Sequence, residues 1–237
     1  MELFYRKKWL NYFVLTELLS AVIDRRTSRF TVNIIINDTK YKAYLCNTGK
    51  LSQLLVKGKK ACCLKNSKGI RLLAVKDYDK GALVDTYYQM KSFEKAINVS
   101  IIPWLEKCSI SRRNPKLGNS VMDYLLICNG NKVYVELKSA ILRLNTHIAS
   151  YPDTVSLRRH VSELIKHVML GGKAMVIFVA ALPYVNSFKP NSEVDPLLAS
   201  LIKQLLDEGV IVKAINEYFE PKSKCIMLDN YDLKFII

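Results

Sequence analysis

The chain has 237 residues and 27.1 kDa, half of them hydrophobic, with 36 Lys and Arg against 21 Asp and Glu and a net charge of +15. That length buries a real core without staples, the hydrophobic content excludes disorder as the main state, and the charge favours a polyanionic partner, nucleic acid first, over a small neutral ligand. The longest apolar run, around Ala174 to Leu182, is far short of a membrane-spanning helix, and the start of the chain lacks the apolar stretch and cleavage site of a secretory leader. Six cysteines without CxxC spacing predict neither a disulfide scaffold nor a zinc site, but small core hydrophobes in a reducing cytoplasm.

Taken in order, Leu10 to Ile23 fits helix and strand equally. Phe30, Val32, Ile34 and Ile36 alternate on one face of a strand, and Asn37-Asp38-Thr39 turns the chain. Tyr41, Ala43 and Leu45 alternate on the next strand, with Lys40, Lys42 and Tyr44 on its other face, a mixture of charge and aromatic rings that suits nucleic acid and equally an ordinary solvated face. Lys60 to Leu64 and Ile70 to Val75 read as further short strands, and together these predict a small β-barrel. Residues 86–108 read as helix broken at Pro103, and Ser111 to Asn119 as a loop carrying Arg112 and Arg113. A domain boundary falls between about 80 and 90.

The remainder predicts an α/β layered domain. Strands are expected at Ser120 to Cys128, Lys132 to Ala140 and Ile141 to Ser150, followed by an amphipathic helix from Thr154 to Leu170 closed by Gly171. Lys173 to Leu182 reads as a buried central strand. Asp195-Pro196 caps a helix that stops at Gly209, and Val210 to Ile215 is a strand. Charge is uneven along this path. Residues 111–173 carry ten basic side chains and only four acids, Asp123, Glu136, Asp153 and Glu163, whereas residues 174–237 carry six basic and eight acidic ones.

Two of those acids share a hairpin. Asn129-Gly130 suits a two-residue turn with positive φ at both positions, so paired positions sum to 259 and Asp123 stands opposite Glu136, with Lys138 on the same face. Facing carboxylates repel, yet they are spaced to share one divalent cation beside a lysine able to stabilise charge on a phosphate. The plainer reading is a solvated face on which Lys138 bridges two acids. His160 and Glu163 lie three apart on the following helix, His160 reading as a surface pair and Glu163 as a candidate for the site. Asp153 reads as that helix's N-cap, and Arg158 and Arg159 could meet phosphates.

These residues together resemble the sugar fermentation stimulation protein family over nearly the whole length. The resemblance is carried in order by Arg26-Thr27-Ser28-Arg29-Phe30, Cys46-Asn47-Thr48-Gly49, Gly118-Asn119-Ser120 with Asp123, Val135-Glu136-Leu137-Lys138-Ser139, Tyr151-Pro152-Asp153, His160 with Glu163-Leu164, Phe188-Lys189-Pro190-Asn191 and Asp195-Pro196. It implies an OB-like nucleic-acid-binding barrel over 1–85 and a restriction-endonuclease-like domain over 86–237. It also implies DNA binding and a nuclease site using Mg²⁺ or Mn²⁺, with Asp123 and Glu136 as metal ligands and Lys138 as the catalytic lysine; a non-catalytic DNA-binding protein is the alternative. Candidate catalytic residues are thus Asp123, Glu136, Lys138 and Glu163, and candidate nucleic-acid contacts are Arg29, Lys40, Lys42, Tyr44, Asn47, Arg112, Arg113, Arg158 and Arg159. Two departures stand out: Ser120-Val121-Met122-Asp123 lacks the family's arginine, and Asn114 replaces a glutamate for which spacing offers Glu106. DNA form and oligomeric state stay open, a dimer being one option.

Overall fold

The computed structural model describes residues 17–151, 155–192 and 196–236. Asp153, Asp195 and the first part of the Leu10 to Ile23 stretch lie outside them. From Leu18 onward that stretch is strand β1 (Leu18–Ser28).

β1 is followed by β2 (Thr31–Ile36), β3 (Thr39–Tyr44), β4 (Lys60–Asn66) and β5 (Gly69–Asp77), which close as a barrel in the order β1-β2-β3-β5-β4-β1, with β3 and β5 parallel. This is the five-stranded OB arrangement. Two register shifts bend β1 so that it serves both β2 and β4. Asn37 and Asp38 both take positive φ, as a two-residue hairpin requires. Val32, Ile34, Ala43 and Leu45 point inward and are fully buried, each large apolar side chain contributing about 2 kcal/mol of transfer free energy. Phe30 departs from the alternation: it lies just before β2 and is 46% exposed.

β6 (Lys80–Leu83) follows, and then α1 (Thr86–Asn98), whose N-cap Asp85 accepts bonds from the Tyr87 and Tyr88 N–H groups and pairs with Arg71 inside the structure. A short 3₁₀ turn at Pro103–Leu105 separates α1 from β7 (Cys108–Arg113). Residues 111–113, expected in a loop, are therefore the end of an edge strand, which paired against a neighbour the sequence does not reveal. β8 (Lys116–Leu117) and β9 (Ser120–Val121) form a two-stranded ribbon, so the expected strand from Ser120 is interrupted before β10 (Tyr124–Cys128). β11 (Asn131–Ser139) completes the hairpin. The expected third strand is instead a second hairpin, β12 (Leu142–Asn145) and β13 (Ile148–Ser150). The order then runs α2 (Val155–Met169), β14 (Lys173–Ala180), β15 (Ser187–Phe188), α3 (Pro196–Asp207), β16 (Ile211–Glu220), β17 (Cys225–Asn230) and β18 (Lys234–Phe235).

β7, β10, β11, β14, β16 and β17 form one mixed sheet, parallel in β11-β14-β16. β14 is its buried centre, with Ala174 through Ala180 all in the core. The C-terminal half of β16 also pairs with β6, through Phe219 and Gly81, so the barrel and the second sheet are continuous. A Cβ on Gly81 would lie 3.1 Å from the Phe219 ring, which is why glycine occupies that seam. β12, β13, β15 and β18 make a small separate sheet.

One cysteine expectation is overturned. Cys108 and Cys128 face each other across β7 and β10 with Cα atoms 4.1 Å apart and form a disulfide. Their pairing depends on β7, the strand the sequence hides. Cys46, Cys62, Cys63 and Cys225 are free. Among the described residues, no helix is long and apolar enough to cross a membrane.

Candidate active site

The site is built on the β10–β11 hairpin. Asn129 and Gly130 both have positive φ and the ladder pairs Cys128 with Asn131 and Tyr124 with Val135, the register expected from the turn. Asp123 lies one residue past the last pair, where the ladder ends. Its Oδ2 accepts the Leu137 N–H at 2.7 Å and so takes the place of a ladder carbonyl. Glu136 and Lys138 are two apart on β11, share a face and are 3% and 6% exposed. The Lys138 ammonium donates to Glu136 Oε1 at 2.6 Å. His160, from α2, places Nδ1 2.5 Å from the same oxygen and 3.3 Å from Lys138 Nζ. Glu136 Oε2 is buried with no partner. A buried carboxylate oxygen without a donor is costly unless something outside the chain satisfies it.

The electrostatics follow from this crowding. Burial and then the neighbouring Glu136 charge push the Asp123 carboxyl up to about 7, against the Leu137 N–H, Lys138 and His160. Burial alone would lower the Lys138 ammonium, but Glu136, with help from Tyr151 and Asp123, more than offsets it and raises Lys138 above the ordinary lysine range. Lys138 therefore holds its proton at neutral pH. It is suited to stabilise negative charge or donate a proton, and unsuited to act as a base.

Glu163 lies one turn beyond His160 and packs against Gly118. Gly118 has φ +55, and a Cβ there would sit 2.0 Å from Glu163 Oε2. The backbone requires the glycine, and any side chain there would also push the Glu163 carboxylate aside. Gly118→Ala is therefore expected to destabilise the fold by about 1–3 kcal/mol and displace Glu163, read as a lower midpoint in urea. A midpoint equal to wild type would show that Glu163 has no fixed seat there.

The proposed contacts divide. Arg158 and Arg159 are exposed on α2, and Arg112 is exposed on β7. Arg113 is committed elsewhere: it binds Glu94 Oε2 at 2.6 Å while the Tyr124 hydroxyl holds Oε1 at 3.0 Å. Val121, where the family carries arginine, is exposed on β9. Glu106 borders a cavity with Cys108 and Asn129 at the turn end of the hairpin, the opposite end from Asp123, so it does not replace the missing acid.

On the barrel, Lys42 is exposed and Lys40 lies 3.6 Å from Asp24. Asn47 is buried and structural. Its Nδ2 donates to the Val84 carbonyl at 3.0 Å and reaches the Ser139 hydroxyl at 3.4 Å, and its Oδ1 accepts the Gly49 N–H. Arg26 braces the same loop through the carbonyls of Arg29, Asn47 and Gly49. Between the two halves lies a cleft of about 240 Å³, bounded by Phe30, Tyr44 and Asn47 on the barrel side and by Lys138, Ser139 and Tyr151 on the other. A larger groove of about 420 Å³, among Leu18, Cys62, Lys80 and Phe219, shares no residue with it.

His160 and Phe30 are among the residues that sequence reasoning placed wrongly, with Asn47 and Arg113. For His160 a signal existed: it flanks the buried stripe Leu157, Val161, Leu164 at helical spacing, which turns it inward. Among the described residues, no three His, Cys, Asp or Glu side chains gather around a metal position. Two carboxylates with one unpartnered oxygen still fit a hard cation such as Mg²⁺, which keeps several waters and commonly binds through one or two carboxylates plus substrate phosphate.

An OB barrel continuous with a restriction-endonuclease-like α/β unit, and an acid–Glu-x-Lys hairpin whose Lys138 borders the cleft between them, define the class. The N-terminal OB domain of the sugar fermentation stimulation proteins matches residues 25–84, and the RE domain of the same proteins matches residues 87–223. The chain belongs to the sugar fermentation stimulation protein family. It is 38% identical over 214 residues to the homologue from Pyrococcus furiosus, covering 88% of this chain and 93% of that one, and 38% identical over 234 residues to the homologue from Archaeoglobus fulgidus, covering 96% and 100%. The solved structure of Pyrococcus furiosus SfsA in complex with Ca²⁺ superposes with a TM-score of 0.89 at 35% identity, covering 98% of this chain and 99% of that one.

Proposed function

We propose that this chain is a DNA-binding phosphodiesterase dependent on Mg²⁺ or Mn²⁺, with residues 1–85 as the binding barrel and 86–237 as the catalytic part, working in the cytoplasm. The observation that carries the reading is the buried Glu136 oxygen left without a donor beside Asp123 and Lys138. Asp123 and Glu136 would hold the ion, and the Ca²⁺ bound by the Pyrococcus furiosus relative supports a divalent cation. When bound, the ion polarises a phosphoryl oxygen and makes water a stronger nucleophile. The chain's own residues do the rest. Lys138 offers a fixed positive charge to the phosphate as negative charge grows on it. His160 holds Glu136 from the helix side and so keeps the lysine and carboxylate in register. Glu163 steadies the Gly118 loop that leads into Asp123.

The test is labelled DNA of several structures incubated with Mg²⁺, Mn²⁺ or EDTA, beside a Lys138→Ala control. Cleavage that needs metal and Lys138 supports the reading. Binding without cleavage would favour a non-catalytic DNA-binding protein, a reading to which the Val121 substitution and the capture of Arg113 by Glu94 lend weight.

Affinity should fall steeply with salt, because each phosphate met by Lys or Arg releases condensed counterions. Replacing Lys40 and Lys42 with alanine is expected to flatten the logarithmic salt slope by about 2 units on duplex DNA. An unchanged slope would remove this face of β3 from the footprint.

A further inference from the structure

A series of rings and guanidinium groups starts at the lip of the cleft, with Phe30 and Tyr44, and continues away from it to Tyr87. Arg29 lies over the Phe30 ring, 5.6 Å from its centroid. Phe30 and Tyr44 are 6.5 Å apart with planes only 17° from parallel. Arg71 lies 5.3 Å from the Tyr44 centroid and 4.9 Å from that of Tyr87. Phe30, Tyr44 and Tyr87 are each 46% exposed, an unusual degree for three neighbouring rings. Arg71 is fixed beneath them by its bidentate pair with the buried Asp85, so the surface is preorganised. Phe30 and Tyr44 also bound the cleft that contains Lys138.

We propose that this surface is a stacking platform for unpaired nucleotides, and that the substrate is single-stranded DNA led along the Phe30–Tyr44–Tyr87 rings to Lys138. The inference rests on DNA being the partner and specifies its form. Exposed rings with the Arg29 guanidinium beside them match a strand that alternates π faces with phosphates, while Arg71, engaged by Asp85, holds the rings in place. Only an unpaired base offers its face, since a duplex hides base faces within its own stack and shows a protein only edges and backbone. A solvated aromatic patch would explain the exposure, but not a shared wall with the catalytic lysine.

The experiment uses the full chain in EDTA, with fluorescence anisotropy of a labelled oligothymidine and of a duplex of equal length. Wild type should prefer the single strand. Tyr44→Ala and Phe30→Ala should each weaken single-strand binding by roughly tenfold and leave duplex binding unchanged, while Tyr44→Phe keeps the wild-type affinity. Both positions are half exposed, and melting curves confirm that each variant folds. Equal losses on the two forms, or no loss on the single strand, would overturn the platform while leaving DNA binding intact. Preference for the duplex overturns it as well. A wild-type protein that binds neither form overturns the platform together with the DNA reading on which it rests.

Discussion

If the chain is the proposed phosphodiesterase, replacing Lys138 with alanine is expected to lower metal-dependent DNA cleavage by at least about 100-fold, because the phosphate would lose the fixed positive charge that Lys138 offers in that reading. The same change should weaken the metal-free fold. Lys138 and Glu136 are a buried pair at 2.6 Å, and deleting one partner strands the other's charge in the protein at a cost of about 3 kcal/mol or more. His160 is left as the neighbour of Glu136 Oε1. The two effects separate on adding Mn²⁺. A cation bound at Asp123 and Glu136 should restore much of the lost stability by favouring the folded state, yet activity should stay absent. Lys138→Met keeps most of the side chain's length and its apolar stem without the charge, and should behave in the same way. Cleavage within a fewfold of wild type in either variant would remove Lys138 from the chemistry.

Asp123→Asn should abolish cleavage and stabilise the metal-free protein at neutral pH. The folded carboxyl titrates at about 7, against an ordinary value of 3.8. Below about pH 4 both folded and unfolded states hold the proton and nothing is lost. As pH rises from about 4 to 7 the unfolded state gives up its proton while the folded state keeps it, so stability declines, and above about 7 the full penalty of a few kcal/mol applies. Asparagine keeps an acceptor for the Leu137 N–H and carries no charge, so this part of the decline should vanish. Glu217 bends the profile in the same direction. It is completely buried on β16, neither oxygen has a well-formed hydrogen bond, and burial pushes it up to about 8. The Asp123 contribution is therefore read as the difference between wild type and Asp123→Asn across pH 4 to 8, in EDTA. Mn²⁺ should raise the melting temperature of wild type more than that of the variant. A variant less stable than wild type in EDTA would mean that the ionised carboxylate is a support of the fold.

Much of this site was legible because one turn has strict demands. Asn129-Gly130 requires positive φ twice, which fixes a two-residue loop, and strand alternation then carries Glu136 and Lys138 to one face without further information. The barrel strands were legible for a similar reason: Val32 and Ile34 alternate with half-buried neighbours, and Ala43 and Leu45 with exposed ones. β7 was not legible. Ser111, Arg112 and Arg113 look like a loop because an edge strand carries charge to discourage further pairing. Missing β7 concealed the Cys108–Cys128 bond, which joins facing positions of β7 and β10. β6 has only four residues and pairs locally with β5, but its bridge to β16 spans more than a hundred positions, so no local pattern announces the seam. The turn of Asp123 off the ladder depends on where β10 stops, and strand ends are the least readable feature of a sequence.

The seam between β6 and β16 determines how the molecule can be handled. β16 spends its first half beside β14 and its second beside β6, and Tyr218 and Phe219 are buried there. Cutting away the first 85 residues would strip that second half of its cover and leave an apolar, unpaired edge ready to associate. Point substitutions, and not truncation, are the clean way to divide labour between the halves. The seam also sets a gauge. Consecutive hydrogen-bonded strands connect the barrel wall of the cleft to the Lys138 wall, with Asn47 reaching Ser139 as a tie across the gap. Backbone ladders stretch very little, so the barrel wall and the Lys138 wall keep a set spacing without help from any loop.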